Sequence, residues 1–167
     1  TRRSSDLTVH FAAEPALDGI IEKRLLQMTR TSPDAPVAPT LAAYREQFLR
    51  TAGPRNSSYL QSKVREQHDG LVIVELSSYL DTGGAHGEPG RGFINYSRQQ
   101  QKNLTLADML RPGKEDAFWK AAQVAHNSWL ISTRLDQEPE FMKAWPFKKT
   151  PNVALTTAGV MLKYVLA

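Results

Sequence analysis

Tyr79-Leu80-Asp81-Thr82-Gly83-Gly84-Ala85-His86-Gly87 is the stretch that decides the fold. A continuous apolar run, Leu71 to Val74, leads into it, and Phe93-Ile94-Asn95-Tyr96 leads out. Glycine reaches positive φ without a Cβ penalty, so Gly83 and Gly84 mark a sharp turn. Upstream, Asp69-Gly70 separates two segments, 58–67 and 71–80, and is a strong hairpin signal. Downstream, Arg91 to Arg98 reads as a third strand. Two turns between three strand-like segments predict three successive antiparallel strands.

Toward the N-terminus, Leu7, Val9 and Phe11 alternate and predict a short strand over 7–11. Glu14-Pro15 opens a helix, because Pro fits the first turn and Glu complements the positive end of the helix dipole. Leu17, Ile21, Leu25 and Met28 recur at helical spacing and form one apolar stripe ending near Thr31. Pro33, Pro36 and Pro39 make 32–39 a loop. Thr40 then caps a second helix with Leu41, Tyr44 and Phe48 on one face, stopped by Gly53-Pro54-Arg55-Asn56.

Toward the C-terminus, Thr105 and Asp108 have the spacing of a capping box, with Leu104 and Met109 at the staple positions. Arg111-Pro112-Gly113 ends that short helix. Glu115 and Asp116 begin a longer one, with Phe118, Ala122, Ala125 and Trp129 on one face. Pro139 to Phe147 is a short helical or irregular stretch. Val153 to Thr156 and Val160 to Leu166 read as two last strands around Ala158-Gly159. The order αα–βββ–αα–ββ predicts an α+β fold, an antiparallel sheet with helices packed on one face.

Composition bounds the function. A chain of 167 residues, 41% apolar and 23% charged, has the length and composition of one folded domain. Cysteine is absent, which removes disulfides and thiolate metal sites. No apolar run approaches the 18 residues of a membrane span. The net charge is +4, but Asp69, Glu75, Asp81 and Glu88 against Arg91 give the 69–96 segment a local −3. Most of the basic residues are scattered singly, with Arg2-Arg3 and Lys148-Lys149 as adjacent pairs and no basic helix stripe, so nucleic acid is not the expected partner.

Catalytic signatures are weak. His86 lies in the glycine-rich turn with Ser78 and Asp81 near in sequence, yet no Gly-x-Ser-x-Gly elbow exists. His10, His68, His86 and His126 are isolated, without a His-x-x-x-His pair, so no metal site is expected. No phosphate-binding Gly-Lys-Ser/Thr follows the glycines, and no cofactor is expected. Lys143-Ala-Trp145-Pro-Phe147-Lys148-Lys149 interleaves aromatics with lysines. The rings beside Pro146 read as anchors of a loop to the core, with the lysines in water.

The run Ser78-Tyr79, Gly83-Gly84-Ala85-His86-Gly87, Ile94-Asn95-Tyr96 and Leu104-Thr105-Leu106-Ala107-Asp108-Met109-Leu110 resembles a bacterial extracytoplasmic domain family. That family includes the outer domain of the lysozyme-sensing anti-sigma factor RsiV and the accessory domain of the peptidoglycan deacetylase PdaC. The specific motifs cover about 79–110, with a weaker echo over 152–164. Members continue past the position of Tyr164 into another glycine-containing strand. The resemblance therefore implies one extracytoplasmic domain, residues 1–167, which is either a fragment or a domain whose final strand is missing or supplied otherwise.

It also implies binding and not catalysis: no catalytic residue, no metal and no cofactor. The implied partner is a lysozyme-like protein, with peptidoglycan, or an accessory role beside a cell-wall glycan-modifying enzyme, as the alternative. The implied location is periplasmic or otherwise extracytoplasmic, with membrane attachment only through a lipid anchor outside this chain. Tyr79, Asp81, His86, Glu88 and Arg91 flank the turn and are the candidate partner-binding residues.

Overall fold

Asp69 (φ 48°) and Gly70 (φ 73°) both adopt positive φ in a computed structural model of the chain, which describes residues 4–8 and 14–165. Two consecutive positive φ values match the right-handed twist of flanking strands. They join β2 (Ser57–His68) to β3 (Leu71–Asp81), and the glycine-rich turn joins β3 to β4 (Glu88–Ser97). The three strands pair antiparallel, as expected. A two-residue β5 (Lys102–Asn103) extends the sheet beyond β4. On the other edge β1 (Ser4–Thr8) pairs with β2 in parallel. The predicted 7–11 strand is thus found earlier, and Val9 and Phe11 lie outside the described residues.

One register detail decides which side chains face where. The Asp69-Gly70 turn pairs His68 with Leu71 and Glu66 with Ile73, but Val64 pairs with Val74. Arg65 is therefore an extra residue, a bulge. A one-residue slip moves every following side chain of the strand to the other face. It turns Leu60 and Val64 inward and sets Tyr59 opposite Tyr79.

The inward face carries α1 (Pro15–Gln27) and, partly, α2 (Leu41–Thr51). Leu17, Ile21 and Leu25 are fully buried against Leu60, Val72, Val74, Leu76 and Ile94. Burying each such side chain contributes about 1.5–3 kcal/mol. Helix α1 stops at Gln27, before the Thr31 expected from the stripe. Thr40 caps α2 by accepting from the Ala43 amide (3.0 Å), and the Glu22 carboxylate accepts from the Leu41 amide (3.0 Å). Both bonds satisfy amides that a helix start leaves without partners.

The outward face is covered over its Leu71–Ile73 end by the hairpin β6 (Val153–Thr156) and β7 (Gly159–Leu162). Ile73, Phe93 and Ala154 form its small core, flanked by Leu71 and Leu155. The fold is α+β.

The chain divides into two compact units, one comprising residues 1–104 and 152–167, the other 105–151. The second holds α3 (Leu106–Met109), α4 (Glu115–Ser132), a 3-10 turn at Leu135–Gln137 and α5 (Pro139–Ala144). The expected capping box is present: the Thr105 hydroxyl accepts from the Asp108 amide (3.3 Å), and Asp108 accepts from the Thr105 amide (2.8 Å). The buried stripe of α4 differs from the predicted one. Trp119 and Leu130 are buried, whereas Trp129 is 46% exposed. Phe147 packs on Trp119 and His126, as its reading as a loop anchor requires, and the Lys149 ammonium lies over the Trp119 ring at 5.7 Å.

Candidate functional site

Strand β3 alternates strictly. Val72, Val74 and Leu76 point to α1, so Ser77, Tyr79 and Asp81 point outward beyond the reach of Ile73 and its hairpin. Cross-strand neighbours share a face. Tyr79 stands opposite Tyr59 on one side and Pro89 on the other, and Ser77 stands opposite Arg91. The outward face therefore ends in a patch of two tyrosines, a proline, Arg91 and Asp81. Tyr79 is 40% exposed; Tyr59, Asp81 and Arg91 are half-buried.

The turn beside this patch is built by backbone chemistry. Gly83 has φ +81°, and its amide donates to the Asp81 carboxylate at 2.7 Å. Asn56 adds a brace. With its amide oriented to satisfy both neighbours, its nitrogen donates to the Thr82 carbonyl and its oxygen accepts from the Gly53 amide, each at 3.2 Å. Gly87 lies directly under the Tyr79 phenol: a Cβ there would sit 2.2 Å from Oη. Any side chain at position 87 would collide with the ring where it lies.

The structure brings together only part of the expected set. Tyr79, Asp81 and Arg91 share the outward face. Glu88 pairs with Leu80 and by alternation takes the inward face of the hairpin, where it is exposed. His86 is exposed at the tip. Ser78 is buried on the face opposite Asp81, so Ser78, His86 and Asp81 do not assemble. Tyr59 and Pro89 join the patch without a signal in the sequence, since Tyr59 reaches it only through the Arg65 bulge.

The local −3 of the 69–96 segment is only in part an acidic surface: Glu75 is withdrawn from it, while Asp69 stays exposed beside His68. Glu75 is 8% exposed and ion-paired to Arg65 (3.1 Å) and to the Lys163 ammonium. Asp69 lies 3.1 Å from His68 Nδ1, while His68 Nε2 donates to the Leu155 carbonyl at 2.8 Å. The Asp69 carboxylate first, and the Leu155 carbonyl next, hold the His68 pKa above its ordinary value. Glu66 accepts from the Thr157 hydroxyl and amide, which lower its pKa. These groups dock the β6–β7 hairpin. Asn95 completes the docking: its side chain donates to the Val153 carbonyl (2.7 Å) and accepts from the Leu155 amide (2.8 Å).

Among the described residues no three His, Asp or Glu side chains cluster as metal ligands. No described helix is long and apolar enough to cross a membrane.

No family model matches the sequence, and no curated protein matches it. Solved structures do. A DUF3298 family protein from Pseudomonas aeruginosa PAO1 is 63% identical, with a TM-score of 0.86 over 92% of this chain and 69% of its own. A member of the same family from Bacteroides fragilis NCTC 9343 is 20% identical, with a TM-score of 0.53 over 70% of this chain and 48% of its own; that likeness is one of fold. At 63% identity over most of both chains, the chain belongs to the DUF3298 family.

Proposed function

We propose that this chain is a non-enzymatic binding module of the cell envelope that recognises a protein partner, most sharply a lysozyme-like enzyme. The observation that carries the reading is the uncovered end of the outward face. Tyr79, flanked across the sheet by Tyr59 and Pro89 and lying close over Gly87, shares its face with Asp81 and Arg91. Pre-positioned tyrosine with a few charges is the composition of interface hot spots. The resemblance of the glycine-rich motif to the domains of RsiV and PdaC supports an extracytoplasmic location, with any membrane attachment through a lipid anchor.

The buried pairing of Glu75 shifts the weight of this proposal from net charge to shape and aromatic contact. Asp81 and Glu88 flank the turn from its two faces and remain available to steer a basic partner. Surface-bound kinetics with lysozyme at two ionic strengths test it. Association that slows with salt, and slows further in Asp81→Lys, is expected. No binding by the wild-type chain even at low salt removes the lysozyme version.

Peptidoglycan is the second reading, favoured by the exposed Tyr79 ring, since sugar faces pack on ring faces. In that case Tyr79→Ala weakens sedimentation with peptidoglycan and Asp81→Lys does not.

A further inference from the structure

Helix α1 has a second face, away from the sheet. Gly19, Lys23 and Leu26 follow one another at helical spacing on it, and Arg30 lies just past its C-terminal end. Val37-Ala38-Pro39 of the following loop stands across from them. Between the two walls lies a cavity of about 340 Å³, at the small end of the range of about 300–1,000 Å³ typical of ligand sites.

Its chemistry is asymmetric. Leu26, Val37, Ala38 and Pro39 give it an apolar lining. Lys23 and Arg30 bring two cations, and among the described residues Glu22 brings the only carboxylate on the wall. One Glu22 oxygen is already occupied by the Leu41 amide, and an Arg30 nitrogen donates to the Pro33 carbonyl (3.2 Å). Lys23 is exposed and makes no ion pair or hydrogen bond among the described residues.

Gly19 adds an independent observation. It sits inside α1 with helical backbone, and a Cβ placed on it would meet nothing within 4 Å. Alanine would fit, and a helix interior prefers it over glycine by about 1 kcal/mol. Among the described residues no contact of the fold requires the glycine. The cavity gains an open wall.

We infer that this cleft binds a small organic anion with an apolar body: an aliphatic chain against Leu26, Val37 and Pro39, and a carboxylate over the Lys23 ammonium. Nothing in this inference depends on the tyrosine patch, which lies on the opposite side of the sheet.

Octanoate is the probe, with octanamide as its uncharged twin, in a ¹H–¹⁵N NMR titration of the whole chain. Saturable shifts are expected at the amides of Gly19, Lys23, Leu26, Val37 and Ala38. Octanamide is expected to bind about fivefold more weakly, the upper range for one exposed charge pair. Lys23→Gln should remove that difference, weakening octanoate and leaving octanamide unchanged. Gly19→Leu should abolish both titrations by filling the cleft. Shifts that never saturate, equal binding of the two probes, or an octanoate affinity indifferent to Lys23→Gln each overturn the proposal. The Lys23→Gln comparison decides the matter even if Gly19→Leu does not fold.

Discussion

Asn95 holds Leu155 as a neighbouring strand would. Its Oδ1 accepts from the Leu155 amide at 2.8 Å, and its Nδ2 donates to the Val153 carbonyl at 2.7 Å. The His68 imidazole takes the Leu155 carbonyl. Side chains thus seal an edge of β6 that a backbone ladder would otherwise have to seal, and they do so where Asn95 is 3% exposed and Ala154 fully buried.

Asn95→Leu keeps the size and removes both bonds. Two backbone groups then lose their partners in a buried place, at a cost of about 2–4 kcal/mol in total. Urea unfolding of the variant measures this. A loss below about 0.5 kcal/mol would show that water replaces the amide freely.

Glu75 pairs with Arg65 through one carboxylate oxygen and with Lys163 through the other. Glu75→Gln leaves both cations facing an uncharged amide, and Lys163 and Arg65 can swing partly into water. A loss of about 1–2 kcal/mol is expected, below the 3–5 kcal/mol of a fully buried pair. If Glu75→Gln and Lys163→Met prove additive in thermal unfolding, the two residues are not coupled.

His68 should give the stability a measurable slope with pH. Its folded pKa is raised above 6.5 by Asp69 and by the Leu155 carbonyl. A raised pKa means that the folded state binds the proton more tightly, so the contribution is complete below 6.5. It is lost as pH rises through the folded value. The melting temperature of His68→Gln should lie furthest below wild type at pH values under 6.5 and approach it as pH rises above 6.5. Parallel curves for the two proteins would place the titration elsewhere.

Gly83 and Gly84 should part company. Gly83→Ala forces an alanine to φ +81° and should cost about 1–2 kcal/mol. Gly84 has no such φ, and a Cβ on it meets only the His86 carbonyl at 4.0 Å. Gly84→Ala should be near neutral in thermal unfolding. Equal losses at both positions would place the positive φ wrongly.

Thr105→Ala removes an acceptor that the Asp108 amide uses. The expected cost is roughly 1 kcal/mol, read from faster amide exchange across 106–110. Unchanged exchange there would mean that Asp108 alone holds the turn.

Much of this was legible because it is local. The Asp69-Gly70 turn, the Thr40 and Thr105 caps and the Leu17–Ile21–Leu25 stripe each rest on residues within one or two turns of chain. What escaped depends on distant partners. Nothing near Arg65 announces a bulge, yet it alone sets Tyr59 beside Tyr79. Glu75 counts as acidic surface until Lys163 and Arg65 are seen around it. On α4 the phase missed by one residue, because Trp119 and Trp129 fit neighbouring stripes equally well by hydrophobicity alone. Of the five candidate partner-binding residues, three share a face for the plain reason that a strand alternates.

Asn95 also meets the chain on the way out. Its carbonyl accepts from the Leu104 amide, and its own amide donates to the Asn103 side chain. Residue 104 leaves the sheet unit and residue 153 returns to it, both pinned to one asparagine. To that unit, residues 105–151 are an excursion that begins and ends at the same post. They form a cassette: a short glycine-rich bridge from Leu104 to Asn152 would let the sheet unit close on itself. Such fusion points are where evolution and engineering exchange whole segments without redrawing the core.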